Sequence, residues 1–236
     1  MKRLFLWIIL ILICGCTACQ QSAPREPAQV LPAIAVTPSP SAEANVPAIL
    51  AFGDSLTMGY GLSSEQAYPS LLQERLSVEG YEYKVINAGL TGDTAASGLQ
   101  RLDWALDGNV KFVILGLGGN DILRRQPMAE TKEQLGRIIT RIQPRNGQVL
   151  LAGLYAPASA GPTYQREVRE VYRDLAREYK VVFIPSLLEH VAGVKSLNLE
   201  DGIHPNAEGT KIVADTVYRA LRPMLDKARQ ERQEHD

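Results

Sequence analysis

Cysteine is scarce in this 236-residue chain, and all three cysteines, Cys14, Cys16 and Cys19, stand near the N-terminus. The rest of the sequence therefore has no disulfide, no cysteine nucleophile and no thiolate ligand for a metal ion. No other group of residues has the spacing of metal ligands, so we expect neither a metal nor another cofactor.

Charge imbalance is also absent. Lys and Arg number 25 against 26 Asp and Glu, for a net charge of -1, and the two signs are interspersed. Nothing in this distribution would attract nucleic acid, and we expect no such partner. With 45% hydrophobic residues, the chain is long enough for one globular domain with a sizeable core, which we expect to be a monomer.

The first residues have the pattern of a targeting segment. Lys2 and Arg3 precede an apolar run, residues 4–13, that is shorter than the roughly 20 residues of a membrane span. Such a run is typical of a signal peptide. Residues 13–16, Ile-Cys-Gly-Cys, resemble the lipobox of bacterial lipoproteins, which predicts a signal peptide over residues 1–15 and lipidation of Cys16. Cys19 is a weaker alternative, and an ordinary cleaved signal peptide or an uncleaved anchor is another.

The organisation of the remaining chain follows from composition. Residues 16–46 are rich in Pro, Ala, Ser and Gln without periodicity, which predicts a disordered tether with a reach of roughly 30 Å. Residues 47–226 form the domain, and residues 227–236 a charged tail. We therefore expect a lipid anchor in a bacterial cell envelope. Thr17 stands where a retention aspartate would, so in a source with two membranes we expect the outer one.

Short apolar runs alternate with amphipathic stretches along the domain, which predicts a single three-layer α/β/α domain with a five-stranded parallel sheet. Each run has the composition of a strand buried on both faces. Thr131, with Gln134 in capping-box register, predicts the start of the third long helix of the alternation, and Pro205 suits the first turn of the last one. The predicted strands are residues 48–52, 83–86, 112–117, 148–154 and 181–184.

Four polar motifs follow these elements. They are Gly-Asp-Ser-Leu at residues 53–56, a glycine at Gly92, Gly-Gly-Asn-Asp at residues 118–121 and Asp-Gly-Ile-His-Pro at residues 201–205. In this order they resemble the SGNH, or GDSL, hydrolase family, and their local text is similar to its bacterial thioesterase, lysophospholipase and arylesterase branch. The resemblance implies a flavodoxin-like SGNH hydrolase fold and a serine esterase.

The chemistry of ester hydrolysis explains these residue types. A serine hydroxyl such as that of Ser55 needs an adjacent base, and His204 is the histidine that lies within a motif. Asp201, three residues earlier, can accept a hydrogen bond from the imidazole N–H and fix the tautomer. The resemblance further implies that the backbone N–H groups of Ser55 and Gly92 and the amide of Asn120 form the oxyanion hole.

The substrate is less determined than the chemistry. The resemblance implies small acyl esters, thioesters or lysophospholipids. Residues 122–128 and 155–164 follow the third and fourth strands, and their position makes these loops the candidates to line an acyl groove. The candidate wall residues are Leu123, Met128, Leu154 and Pro157, for which simple loop packing is an equal alternative. Two other functions stay open: an esterase that removes acetyl groups from a cell-envelope polysaccharide, and a lipoprotein that binds a ligand without catalysis.

Overall fold

The structure, a computed structural model, describes residues 46–234. The predicted signal peptide, Cys16, Cys19 and nearly all of the predicted tether lie outside the described residues. Within residues 46–234, no helix is long and apolar enough to cross a membrane.

Five parallel strands form one sheet in the order β2-β1-β3-β4-β5, as the alternating pattern predicts. The strands are β1 (Ala48–Gly53), β2 (Lys84–Gly89), β3 (Val110–Gly116), β4 (Gln148–Ala152) and β5 (Val182–Ile184). The expectation that all five are buried on both faces is wrong for β2 and β5, which are partly exposed along most of their length. These two strands are the edges of the sheet, where each has a neighbour on one side only.

Helices cover both faces of the sheet, which confirms the three-layer α/β/α prediction. One layer pairs α2 with α7, and the other packs α5 between α3 and α6. The helices are α1 (Ser55–Met58), α2 (Tyr68–Val78), α3 (Ala95–Ala105), α4 (Gly119–Leu123), α5 (Met128–Ile142), α6 (Pro162–Glu178) and α7 (Ala207–Gln233).

Two helices begin at other residues than the sequence predicts. Helix α5 begins at Met128, about one turn before the predicted capping box, so Thr131 is a buried helical residue whose hydroxyl donates to Asp121. Helix α7 begins after Pro205, because the side chain of Asn206 caps it by accepting the backbone N–H groups of residues 208 and 209. Capping by the Asn206 side chain sets the start of α7, whereas α5 begins directly after Pro127 without a side-chain cap.

Most of the charged C-terminal segment is part of α7. This helix continues through residue 233, and the guanidinium groups of Arg229 and Arg232 lie 4.3 and 5.3 Å from the ring centroids of Tyr81 and Tyr83. These contacts give the charged residues an aromatic surface to pack on, which explains why the helix persists beyond its apolar stripe.

Helix α3 provides a direct test of the core. The side chain of Leu102 is fully buried, whereas Trp104, two residues later, is 80% exposed. We expect Leu102→Ala to lower the free energy of unfolding by about 2–5 kcal/mol because it leaves a cavity. Trp104→Ala, the matched control, is expected to change it by about 0.5 kcal/mol or less. Urea unfolding followed by circular dichroism measures both, and equal effects would contradict this packing of α3.

Candidate active site

The carboxyl ends of three adjacent strands define the site. Gly53, Gly89 and Gly116 end β1, β2 and β3, and Gly53 is the register partner of the other two. Because β1 lies between β2 and β3, the loops that follow them meet at one edge of the sheet, at the switch point where such folds bind ligands. In turn, these loops contribute Ser55, Gly92 and Asn120.

The histidine arrives from the long segment between β5 and α7. The Asn198 side chain donates to the carbonyls of Val191 and Val194 at 2.7 and 2.8 Å, which folds this segment back on itself. The backbone N–H of Leu199 donates to the carbonyl of His204 at 2.7 Å. These bonds hold His204, which follows the edge strand β5 in sequence, near Ser55 at the end of β1.

A continuous chain of hydrogen bonds links the three predicted catalytic residues. Ser55 Oγ lies 2.9 Å from His204 Nε2, and His204 Nδ1 lies 2.6 Å from Asp201 Oδ2. The second carboxylate oxygen of Asp201 accepts the backbone N–H groups of Ile203 and His204 at 2.9 and 3.0 Å. The order nucleophile, imidazole, carboxylate is the order that serine activation requires.

The carboxylate of Asp201 is suited to orient an imidazole. Desolvation by its surroundings raises its pKa, but the hydrogen bonds from the His204 ring and from the backbone N–H groups of His204 and Ile203 outweigh this and lower the pKa to about 2. The group is therefore ionised throughout the neutral range, where it can accept a hydrogen bond from Nδ1–H and stabilise an imidazolium.

Three hydrogen-bond donors belong to residues that line one cavity, Ser55, Gly92 and Asn120. Gly92 adopts a left-handed backbone with φ of 84°, which L side chains rarely adopt. Within residues 46–234, the backbone N–H groups of Ser55 and Gly92 have no acceptor. The Asn120 amide uses one N–H on the Asp93 carbonyl at 2.8 Å and keeps a second one available. Together they form the kind of donor set that stabilises an oxyanion.

A partly buried ion pair ties these loops together. Arg101 Nε donates to the carboxylate of Asp93 at 2.6 Å, and Arg101 Nη2 donates to the carbonyl of Gly53 at 3.0 Å. Since the Asp93 carbonyl also holds Asn120, this pair connects the serine loop to the other two donor loops. The sequence alone gave no signal for Arg101, because it lies in the middle of an ordinary helix.

The two other acidic residues of the motifs, Asp54 and Asp121, hold the backbone of neighbouring segments by accepting N–H groups. Asp121 is buried and accepts the backbone N–H of Ala95, at the start of α3, at 3.0 Å. Asp54 is buried beside the serine and accepts the backbone N–H of Leu56 at 3.0 Å, which caps α1. Both carboxylates therefore hold loops next to the donor groups.

A cavity of about 310 Å³ opens onto Ser55, His204, Gly92 and Asn120. Three of the four predicted wall residues, Leu123, Leu154 and Pro157, line it. Met128 does not, because as the first residue of α5 it is fully buried in the core. The apolar lining residues are Leu56, Ile122, Leu123, Leu154, Pro157, Leu188 and Ile203, together with the rings of Tyr60 and Tyr155.

Several lining residues were not predicted. Tyr60 follows Ser55 by five residues, and Ile203 directly precedes His204, so both had a signal in their proximity to catalytic candidates. Leu188 had none, because the path of its segment depends on tertiary contacts. In the described part of the chain, no group of three or more His, Cys, Asp and Glu side chains is placed to hold a metal ion.

Comparison with known proteins gives consistent similarities. The model of the GDSL-like lipase/acylhydrolase family matches residues 51–212, which contain all four motifs. Esterase TesA of Pseudomonas aeruginosa is 36% identical over 178 residues, covering 75% of this chain and 89% of that protein. Thioesterase 1/protease 1/lysophospholipase L1 of Escherichia coli K12 is 33% identical over 179 residues, covering 75% and 85%. A crystal structure of TesA matches with a TM-score of 0.73 at 36% identity, covering 75% of this chain and 98% of that one.

The buried carboxyl of Asp54 makes stability depend on pH. Burial raises its pKa from 3.8 to about 6, against the lowering effects of the Leu56 N–H and of His204. The folded protein thus binds this proton more tightly than the unfolded chain, so the contribution of Asp54 to stability falls as pH rises from about 4 to about 6. The pKa difference between the unfolded and folded states corresponds to about 3 kcal/mol of folding free energy.

Asp54→Asn keeps the acceptor for the Leu56 N–H but cannot ionise. As pH rises from 4 to 8, we expect its free energy of unfolding to increase by up to about 3 kcal/mol relative to that of wild type. Urea unfolding at both pH values measures this gain. Asp107→Asn, at an exposed position, is the control and should show no such change. A difference between Asp54→Asn and wild type that is the same at both pH values would contradict the assignment.

Proposed function

Because the chain belongs to the GDSL-like lipase/acylhydrolase family, we propose that it is a carboxylic-ester hydrolase with Ser55, His204 and Asp201 as its catalytic triad. The observation that carries this proposal is the unbroken hydrogen-bond chain from Ser55 Oγ through both ring nitrogens of His204 to Asp201. The cavity and the three donors support it, since Ser55, Gly92, Asn120 and His204 all line the same cavity.

Acylation begins when Ser55 Oγ attacks the substrate carbonyl while His204 Nε2 takes its proton. Asp201 accepts a hydrogen bond from Nδ1–H, so the imidazole presents its basic nitrogen to the serine and carries its positive charge next to a carboxylate. Without this pairing, a serine hydroxyl is a weak nucleophile at neutral pH.

The oxyanion that forms on the carbonyl carbon accepts hydrogen bonds from the N–H groups of Ser55 and Gly92 and from the free N–H of Asn120. When the tetrahedral species collapses, His204 returns the proton to the leaving alcohol or thiol. A water molecule then attacks the acyl-enzyme by the same route, with His204 as base, and releases the carboxylic acid.

We propose acyl esters, thioesters or lysophospholipids as the substrate class, with the acyl chain lying along the apolar cavity walls. The names of the relatives, esterase and thioesterase 1/protease 1/lysophospholipase L1, support this range. A polysaccharide acetyl esterase needs polar groups for a sugar and space for a two-carbon acyl group only. The mainly apolar lining favours the longer acyl substrate.

The ester series tests both the mechanism and the substrate. We expect purified wild-type protein to hydrolyse p-nitrophenyl esters from acetate to medium or long chains, and Ser55→Ala to lose on the order of a millionfold in kcat. Ser70→Ala, on α2, is the matched control and should retain activity, because Ser70 donates only to a loop carbonyl.

Turnover that survives Ser55→Ala would contradict the triad. Serine-dependent turnover of the acetate ester alone would support the triad but contradict the longer acyl substrate. It would favour the polysaccharide acetyl esterase. A protein with no serine-dependent turnover of any ester would be the non-catalytic lipoprotein.

We further propose that the protein is anchored in the cell envelope by a lipid on Cys16. The charged and apolar pattern of residues 2–16 supports this, and the tether would let the domain reach substrates near the membrane surface. A single acyl chain anchors weakly, whereas the several chains of a bacterial lipoprotein hold firmly.

Metabolic labelling with an alkyne fatty acid in a bacterial host tests the anchor. We expect label in the wild-type protein and in Cys19→Ser, and none in Cys16→Ser, which should also leave the membrane fraction. Label that is lost in Cys19→Ser would move the site to Cys19, and an unlabelled wild-type protein would refute lipidation.

A further inference from the structure

The ring of Tyr60 covers one face of the His204 imidazole. The ring centroids are 4.5 Å apart and the planes are inclined by 36°. The two nitrogens of the imidazole are already engaged at opposite edges by Ser55 and Asp201. The aromatic contact is thus a third restraint on the histidine, and nothing in the triad itself provides it.

Helix α1 places this ring. The helix ends at Met58 and is capped by Gly59, which has a left-handed backbone with φ of 84°. The N–H groups of Gly59 and Tyr60 both donate to the carbonyl of Ser55 at 3.1 Å. Tyr60 is therefore bonded to the backbone of the serine that it follows. One short helix and the turn that caps it supply both the hydroxyl that bonds the edge of His204 and the ring that covers its face.

The contact depends on the aromatic ring rather than on the hydroxyl. Within residues 46–234, the Tyr60 hydroxyl has no hydrogen-bond partner, and the residue is 44% exposed. Two hydrogen bonds at opposite edges of an imidazole leave it free to rock about the line between its nitrogens, and a packed face restricts this motion. The face of an aromatic ring also attracts a cation.

We propose that Tyr60 is a positioning residue for His204: its ring fixes the plane of the imidazole and stabilises the imidazolium that forms in each acyl transfer. This inference rests on the proposed function, because it assigns a role in the same triad. The competing role for Tyr60 is that of a cavity wall, which would affect substrate binding and leave the histidine unchanged.

Tyr60→Phe and Tyr60→Leu separate these roles, with p-nitrophenyl acetate as a substrate too short to need the acyl walls. Phe keeps the ring, and Leu keeps apolar bulk without an aromatic face. We expect Tyr60→Phe to stay within about twofold of wild type and Tyr60→Leu to lose about three- to tenfold in kcat with little change in KM.

The pH profile provides a readout that a purely structural role would not move. Ser55 and Asp201 contact the imidazole, and the buried carboxyl of Asp54 acts on it through space. All three are unchanged in the variants. Because loss of the aromatic face disfavours the imidazolium, the low-pH limb of kcat/KM in Tyr60→Leu should move down by about half a pH unit.

Equal kcat and equal pH profiles in wild type and Tyr60→Leu would overturn the proposal, as would a loss confined to KM. A loss in Tyr60→Phe as large as in Tyr60→Leu would overturn it too, because the hydroxyl would then be responsible. Ser55→Ala, assayed in parallel, tests the catalytic triad separately from the positioning role of Tyr60. If its activity is lost while both Tyr60 variants behave as wild type, the triad stands and the positioning role falls.

Discussion

The site depends on one constraint: β1 lies between β2 and β3, parallel to both, and all three strands end on glycines in register. Three loops that are far apart in sequence must then meet within hydrogen-bond distance of one another. The nucleophile, the left-handed glycine and the donor amide each come from a different loop. The Arg101–Asp93 ion pair keeps them together, because it binds the end of β1 and the loop after β2, and the latter in turn holds Asn120.

The electrostatics around the serine are divided between two carboxyl groups with opposite pKa shifts. Asp201 has its pKa lowered by hydrogen bonds and carries the charge that an imidazolium needs. Asp54 has its pKa raised by burial and caps the helix that presents Ser55. Because Asp54 is buried, its ionisation above about pH 6 destabilises the folded state. This destabilising group lies next to the nucleophile, and enzymes often have such perturbed groups at their active sites.

The sequence predicted those features that depend on local pattern. Alternating apolar runs predicted the five-stranded parallel sheet, and the motif text put Ser55, Asp201 and His204 forward as partners, which the structure brings into contact. Strand burial at the sheet edges, the burial of Met128 and the start of α5 were not predictable in this way. They depend on which element covers which face, and hydrophobic periodicity does not contain that information.

Residues that act through tertiary contacts were also beyond the reach of pattern. Arg101 reads as one basic residue on an amphipathic helix, and its contact with the Gly53 carbonyl exists only once α3 packs against β1. Tyr60 reads as one residue of the segment after the Gly-Asp-Ser-Leu motif, and its contact with His204 requires the fold to return the chain from beyond β5. Chemistry-bearing residues were therefore predictable from the sequence, whereas the groups that position them were not.

The central claim is that Ser55 is an activated nucleophile in the folded protein. The most direct measurement is reaction with an alkyl fluorophosphonate, in which Ser55 Oγ would displace fluoride from phosphorus, followed by intact-mass and peptide mass spectrometry. The account predicts one adduct per chain, located on Ser55, and none after the protein is unfolded in urea. An adduct on another residue, or a folded protein that stays unmodified, would contradict it.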